Sequence, residues 1–170
     1  MGQHALSRQR SDPLIGAVVA TVDRLVNASR DRVWTVLCEG WTYSNWVVGT
    51  SHMRAVEREW PSVGSRLFHA SGAWPLVTRD ETKVEESIPA RKLVVIARGW
   101  PFGEARVRIE LEDDPAGSEV GSRITMTEAP VAGPGKWLHN PATEALLVRR
   151  NIETLDRLAA LAEARTAPQD

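Results

Sequence analysis

The chain has 170 residues, 42% apolar and 25% charged, with a formal net charge of −1 and Lys and Arg scattered along it. That length suffices for one domain with a substantial core, and the charge pattern excludes the basic footprint of a nucleic-acid or anionic-membrane binder. A single cysteine, Cys38, excludes an internal disulfide and fits a reducing compartment, and no apolar run approaches the roughly 20 residues of a membrane span.

The first dozen residues are polar and lack the apolar stretch of a signal peptide. Residues 1–13 therefore read as a disordered leader of a cytoplasmic protein, 14–164 as a single domain and 165–170 as a loose tail. From Leu14 to Asn27, Val, Ala and Ile interspersed with polar residues predict a first strand. Ser29 then caps a short helix, Arg30 to Glu39, stopped by Gly40, and a second helical piece runs from about Thr42 to Val47.

Between Ser51 and Thr127, short extended runs punctuated by Pro and Gly predict an antiparallel meander. Its strands fall near Met53–Glu59, Ser65–Ser71, Thr78–Ser87, Lys92–Gly99, Gly103–Glu112 and Ser118–Glu128. Ala105, Val107, Ile109 and Leu111 alternate with charged residues, and Ile124 and Met126 with polar ones, so each of these two strands has one buried face. By the same period of two, Glu128 falls on the apolar side. The run Thr78 to Glu86 carries charge at both phases, which predicts an edge strand.

The segment Asn140 to Ala164 has the one sustained helical period. Asn140 is a good N-cap and Pro141 suits the first helical position. At about 100° per residue, Ala145, Leu147, Val148, Ile152, Leu155, Leu158, Ala159 and Ala162 share one apolar face, with Arg149, Glu153, Asp156, Arg157 and Glu163 opposite. Asn151 interrupts the apolar arc, so something polar should face it.

This order of elements and the residues that fill it resemble the START-like superfamily and, within it, the bacterial polyketide cyclase/dehydrase-like branch. The resembling residues are Val26-Asn27-Ala28-Ser29 with Val33-Trp34, Tyr43-Ser44-Asn45-Trp46, Gly103-Glu104-Ala105-Arg106-Val107, Thr125-Met126-Thr127-Glu128, and Arg150-Asn151-Ile152 with Leu155 and Leu158. The resemblance implies an α+β helix-grip fold: a curved antiparallel sheet of about seven strands wrapped around a long C-terminal helix, with two short helices after the first strand. It also implies an interior cavity between sheet and helix that takes a small hydrophobic molecule, aromatic, polyketide-like or lipid-like. Ser29 departs from the family, which often has Pro there. Besides ligand carriers, the superfamily includes aromatase/cyclases and co-chaperone domains, so an enzyme working through a buried acid and a protein-interaction module stand as alternatives.

Asn151 and Glu128 are the sharpest candidate site residues, since both interrupt apolar faces and the fold would point both inward. A carboxyl flanked by Ile124 and Met126 would be desolvated and could serve as a general acid or base. The plainer alternative is a structural hydrogen bond tying helix to sheet. Seven tryptophans stand against two phenylalanines and one tyrosine, and three of them precede proline: Trp60, Trp74 and Trp100. Such pairs end strands, where an indole either rims a pocket or plugs a sheet end. Trp74, Trp100, Trp46 and Tyr43 are candidate ligand contacts, and His69 or His52 could face inward as a base. No histidine pairs with another ligand at a metal-binding spacing, so neither metal nor cofactor is expected. Cys38 reads as a structural thiol.

Overall fold

The computed structural model describes residues 20–72, 77–99, 103–118, 120–133 and 141–164. Strand β1 (Ala20–Val26) leads into helix α1 (Arg30–Cys38), a 3-10 turn (Gly40–Thr42) and helix α2 (Tyr43–Trp46). Six strands follow: β2 (Thr50–Val56), β3 (Arg66–Ser71), β4 (Thr78–Ile88), β5 (Lys92–Gly99), β6 (Gly103–Asp113) and β7 (Ser122–Ala132). Helix α3 (Pro141–Ala164) closes the domain. The seven strands form one antiparallel sheet in the order β1-β7-β6-β5-β4-β3-β2. The leader, the tail, Asn140, Trp74 and Trp100 lie outside the described residues.

Local chemistry sets the element ends. Ser29 is extended and its hydroxyl accepts from the N–H of Arg32 at 3.4 Å, capping α1. In the β6–β7 connection, the Asp114 side chain accepts from the N–H of Ala116 at 2.9 Å, and Gly117 takes a φ of +78° that suits glycine. That turn extends to Gly121, so β7 begins four residues later than the sequence suggests and ends four residues later, past Glu128.

Two expectations are corrected. β4 is an interior strand, paired with β3 and β5, and the edges are β1 and β2. The charge on one phase of β4 faces solvent, whereas the other phase buries Asp80, Thr82 and Val84. Its mixed polarity thus reflects a polar interior, not a defended edge. In α3, Ile152 is 46% exposed and Ala145 is also exposed, while Thr154 is buried. The helix buries a narrower face than the apolar arc suggests, and Thr154 on that face accepts from the N–H of Val48 at 3.2 Å.

The buried stripe of α3 is Asn151, Thr154, Leu155, Leu158, Ala159 and Ala162. Its principal neighbours are β1, α1 and α2. Burying each leucine contributes roughly 1.5–3 kcal/mol. Two polar ties fix the helix to β1: Arg24 pairs with Asp156, and the Asn27 N–H donates to Glu163 Oε1 at 3.0 Å. Trp60 plugs the end of the sheet beside α1, its indole donating to the Leu37 carbonyl at 3.0 Å.

The inner face of the sheet is graded. At one end Leu93, Ile109, Leu111 and Ile124 are all 3% exposed or less. At the other end the inward positions Ser71, Thr78, Ala97, Ala105 and Pro130 are only partly buried. Strands β3, β5 and β7 end there, and β4 and β6 begin there. The buried polar residues His69, Asp80, Thr82 and Glu128 lie between the two ends.

Candidate functional site

The short helices deliver the first site residue. A Cβ at Gly40 would stand 2.7 Å from Leu67 Cδ2 and 2.8 Å from Val56 Cγ1, so the glycine lets the 3-10 turn press onto β2 and β3. That approach carries α2 inward and buries Tyr43 and Trp46, whose rings meet edge to face at 5.1 Å. Tyr43 also stacks on His69 at 5.4 Å.

Strands β3 and β4 supply the next group. Their register places His69 opposite Asp80 and Leu67 opposite Thr82, all on the inner face. His69 Nε2 and Thr82 Oγ1 are 3.0 Å apart, Tyr43 Oη and Thr82 Oγ1 3.3 Å, and His69 Nδ1 and Ser71 Oγ 3.3 Å. A hydrogen-bonded chain therefore runs Ser71, His69, Thr82, Tyr43, from the partly exposed end of the interior to its centre. Asp80 accepts from Thr78 Oγ1 at 2.8 Å.

Helix α3 and β7 supply the third group. Glu128 is 6% exposed and Asn151 fully buried. They are linked through a residue that the helical period did not single out: Arg150 donates to Glu128 Oε2 and, from Nε and Nη2, to Asn151 Oδ1 at 3.3 and 3.1 Å. Glu128 is thus an ion-pair partner and not a lone acid. The opposite end of the Asn151 amide, Nδ2, is buried without an acceptor among the described residues, as is Nε1 of Trp46.

The electrostatics favour neutral rings at the centre. Burial pushes the Tyr43 phenol up, assisted by the Glu128 carboxylate and opposed by the Thr82 hydrogen bond and the Arg150 charge. Burial pulls His69 down, with Arg54 acting in the same direction and Asp80 against it. The phenol is therefore a proton donor and the imidazole a neutral donor and acceptor at neutral pH.

The structure thus brings Tyr43, Trp46, His69, Glu128 and Asn151 into one interior. It leaves His52 exposed. Burial pushes the half-buried Cys38 thiol up, which makes it a poor nucleophile. Sequence reasoning missed Arg150, Thr82 and Asp80. The two β4 residues share one phase with Val84, but the charges on the other phase hid that alternation. Among the described residues no group of His, Cys, Asp and Glu is placed to hold a metal ion. Two shallow clefts, of about 320 Å³ at Ser29, Asp113 and Gly121 and about 290 Å³ at Val63, Lys83 and Ile96, lie on the outside of the domain, away from this chemistry.

The sequence profile of the family described as polyketide cyclase / dehydrase and lipid transport matches residues 17–163. The chain belongs to that family. Solved structures with the same fold include the Zhui aromatase/cyclase from Streptomyces sp. R1128, 16% identical, with a TM-score of 0.64 over 88% of this chain and 95% of that one. TTHA0849 from Thermus thermophilus is 14% identical, with a TM-score of 0.67 over 88% of this chain and 99% of that one. NE0264 from Nitrosomonas europaea is 16% identical, with a TM-score of 0.65 over 86% of this chain and 95% of that one. No curated protein matches the sequence. At such identities the neighbours speak for the fold of this polyketide cyclase/dehydrase-family chain, an α+β helix grip, and for nothing finer. Among the described residues no helix is long and apolar enough to cross a membrane.

Proposed function

We propose that this family member binds a small, largely apolar molecule between α3 and the inner face of the sheet. The observation that carries this reading is the polar island formed by Tyr43, His69, Asp80, Thr82, Glu128, Arg150 and Asn151 in a largely apolar interior. A core built for stability alone is better served by apolar residues of similar volume, since buried charge pairs are commonly neutral or costly relative to them. Polar groups placed in an apolar chamber give a ligand orientation. In this reading the ligand enters at the partly buried end, beside Ser71, Thr78, Ala97 and Ala105.

Native mass spectrometry of protein purified from its own host should show a retained small molecule. Titration with hydrophobic probes should change the Trp fluorescence saturably. If nothing is retained and a broad panel gives no saturable change, the reading fails.

One observation favours a second reading, acid–base catalysis on the bound molecule. The chain Ser71, His69, Thr82, Tyr43 could pass a proton between the open end and a buried phenol. In that case Tyr43→Phe should abolish turnover of a bound substrate while leaving its affinity within a few fold; equal loss of both would leave only binding.

A further inference from the structure

Four buried side-chain nitrogens lack an acceptor among the described residues. Two are Nε atoms of arginines, Arg24 and Arg123; the other two are Nδ2 of Asn151, whose residue is fully buried, and Nε1 of Trp46, 3% exposed. Interiors pair about nine in ten such groups, so two at one corner call for a cause. Turning the Asn151 amide over does not supply one. Its Oδ1 receives Arg150 Nε and Nη2 at 3.3 and 3.1 Å, and an NH₂ group in that place would face a guanidinium, donor against donor. The two donors belong to elements in contact. Helices α2 and α3 pack together, the Tyr43 ring meets Trp46 edge-on at 5.1 Å, and Thr154, one turn on from Asn151, holds the N–H of Val48 just after α2.

Both groups donate, so what they select must accept. A carboxylate would accept too, but the guanidinium bonded to Asn151 is already paired with Glu128, and Glu128 and Asp80 bring two buried carboxyl groups to the same interior. An added anion would meet like charge there while the nearest cation is engaged elsewhere. A neutral oxygen meets neither obstacle. The Thr82 and Tyr43 hydroxyls nearby adapt to either role.

We infer that Asn151 and Trp46 are specificity-determining donors that recognise a neutral oxygen acceptor, the carbonyl of a ketone, ester or quinone, on an otherwise apolar ligand and favour it over the corresponding acid. This rests on the reading of the interior as a binding site. It concerns which molecules enter, whether or not the protein then acts on them.

The test uses two frameworks, naphthalene and a straight alkyl chain, each as methyl ketone, carboxylate and hydrocarbon of matched size. Binding is followed by Trp fluorescence and by the indole and amide N–H resonances of ¹⁵N-labelled full-length protein. The ketones should bind about tenfold more tightly than the matched hydrocarbons, one hydrogen bond's worth, and more tightly than the carboxylates. The Trp46 indole proton and the Asn151 amide protons should shift downfield only with the ketones. Trp46→Phe, which keeps an aromatic ring, and Asn151→Leu should each narrow the ratio of ketone to hydrocarbon affinity by several fold, and the double variant should bring it near one. If hydrocarbons and ketones bind equally well, or the carboxylates bind best, the inference is wrong and the binding reading stands. If no compound of either framework binds saturably, both fall.

Discussion

Arg150 of α3 and Glu128 of β7 form an ion pair that is wet at one end and dry at the other: the arginine side chain is 37% exposed and the glutamate side chain 8%. The long arginine stem covers apolar surface while its head reaches inward. The pair therefore ties helix to sheet at the level of the polar island, and Asn151 shares it.

Removing the arginine should strand a buried carboxylate. Arg150→Met is expected to destabilise the fold by about 1–3 kcal/mol, below the cost at a fully buried pair because the guanidinium end is partly screened by water. The double change Arg150→Met with Glu128→Gln should recover much of that loss. Urea unfolding of the four proteins gives the coupling, and additive effects would show that the pair does not act as a unit.

Asn151→Leu should behave differently. It deletes an amide with one unmatched end, and Arg150, being partly exposed, can replace the lost acceptor with water. Melting should stay the same or rise while ligand affinity falls, the pattern of a polar group held for function at a cost in stability. A loss above about 2 kcal/mol would instead mark Asn151 as a structural link.

The two central rings make opposite contributions to stability at acid and alkaline pH. His69 titrates below its ordinary value of 6.5 in the fold, so the unfolded chain takes up the proton first. Its contribution is complete above about pH 6.5 and is lost as pH falls through the native value. Tyr43 titrates above its ordinary 10.0, so its contribution is complete below about pH 10 and is lost as pH rises through the native value. His69→Gln should flatten the acid limb of stability against pH and Tyr43→Phe the alkaline limb. Denaturation midpoints across the range would reveal unchanged limbs, and with them an error in the account of these rings.

Gly103 stands where β6 begins, with a φ of +105°, and a Cβ there would come within 2.1 Å of the Ala132 carbonyl oxygen on β7. Backbone cannot yield as a side-chain tip can. Gly103→Ala should cost about 2 kcal/mol or more, strain and clash together. Gly117, also at positive φ but with open space around it, should cost roughly 1 kcal/mol as Ala. Equal melting shifts for the two would show that the close approach of β6 to β7 is not the cause.

The sequence by itself determined the element order and most of the elements, because periods of two and of 3.6 and the cap at Ser29 are local signals. Lys92–Gly99 could be read off in full, and Asn151 and Glu128 stood out as polar residues on apolar faces. What the sequence could not determine was partnership. Arg150 belongs to the site because the helix axis and the β7 register bring it to Glu128, and nothing at either position in the chain reports that distance. Thr82 and Asp80 looked like parts of a charged edge until β3 and β5 flanked their strand. Whether a polar residue on an inward phase is satisfied, stranded or shared depends on atoms more than twenty residues away, as Arg150 and Glu128 are. Hydrogen bonds reach only about 3 Å, so that question was decided by tertiary packing alone.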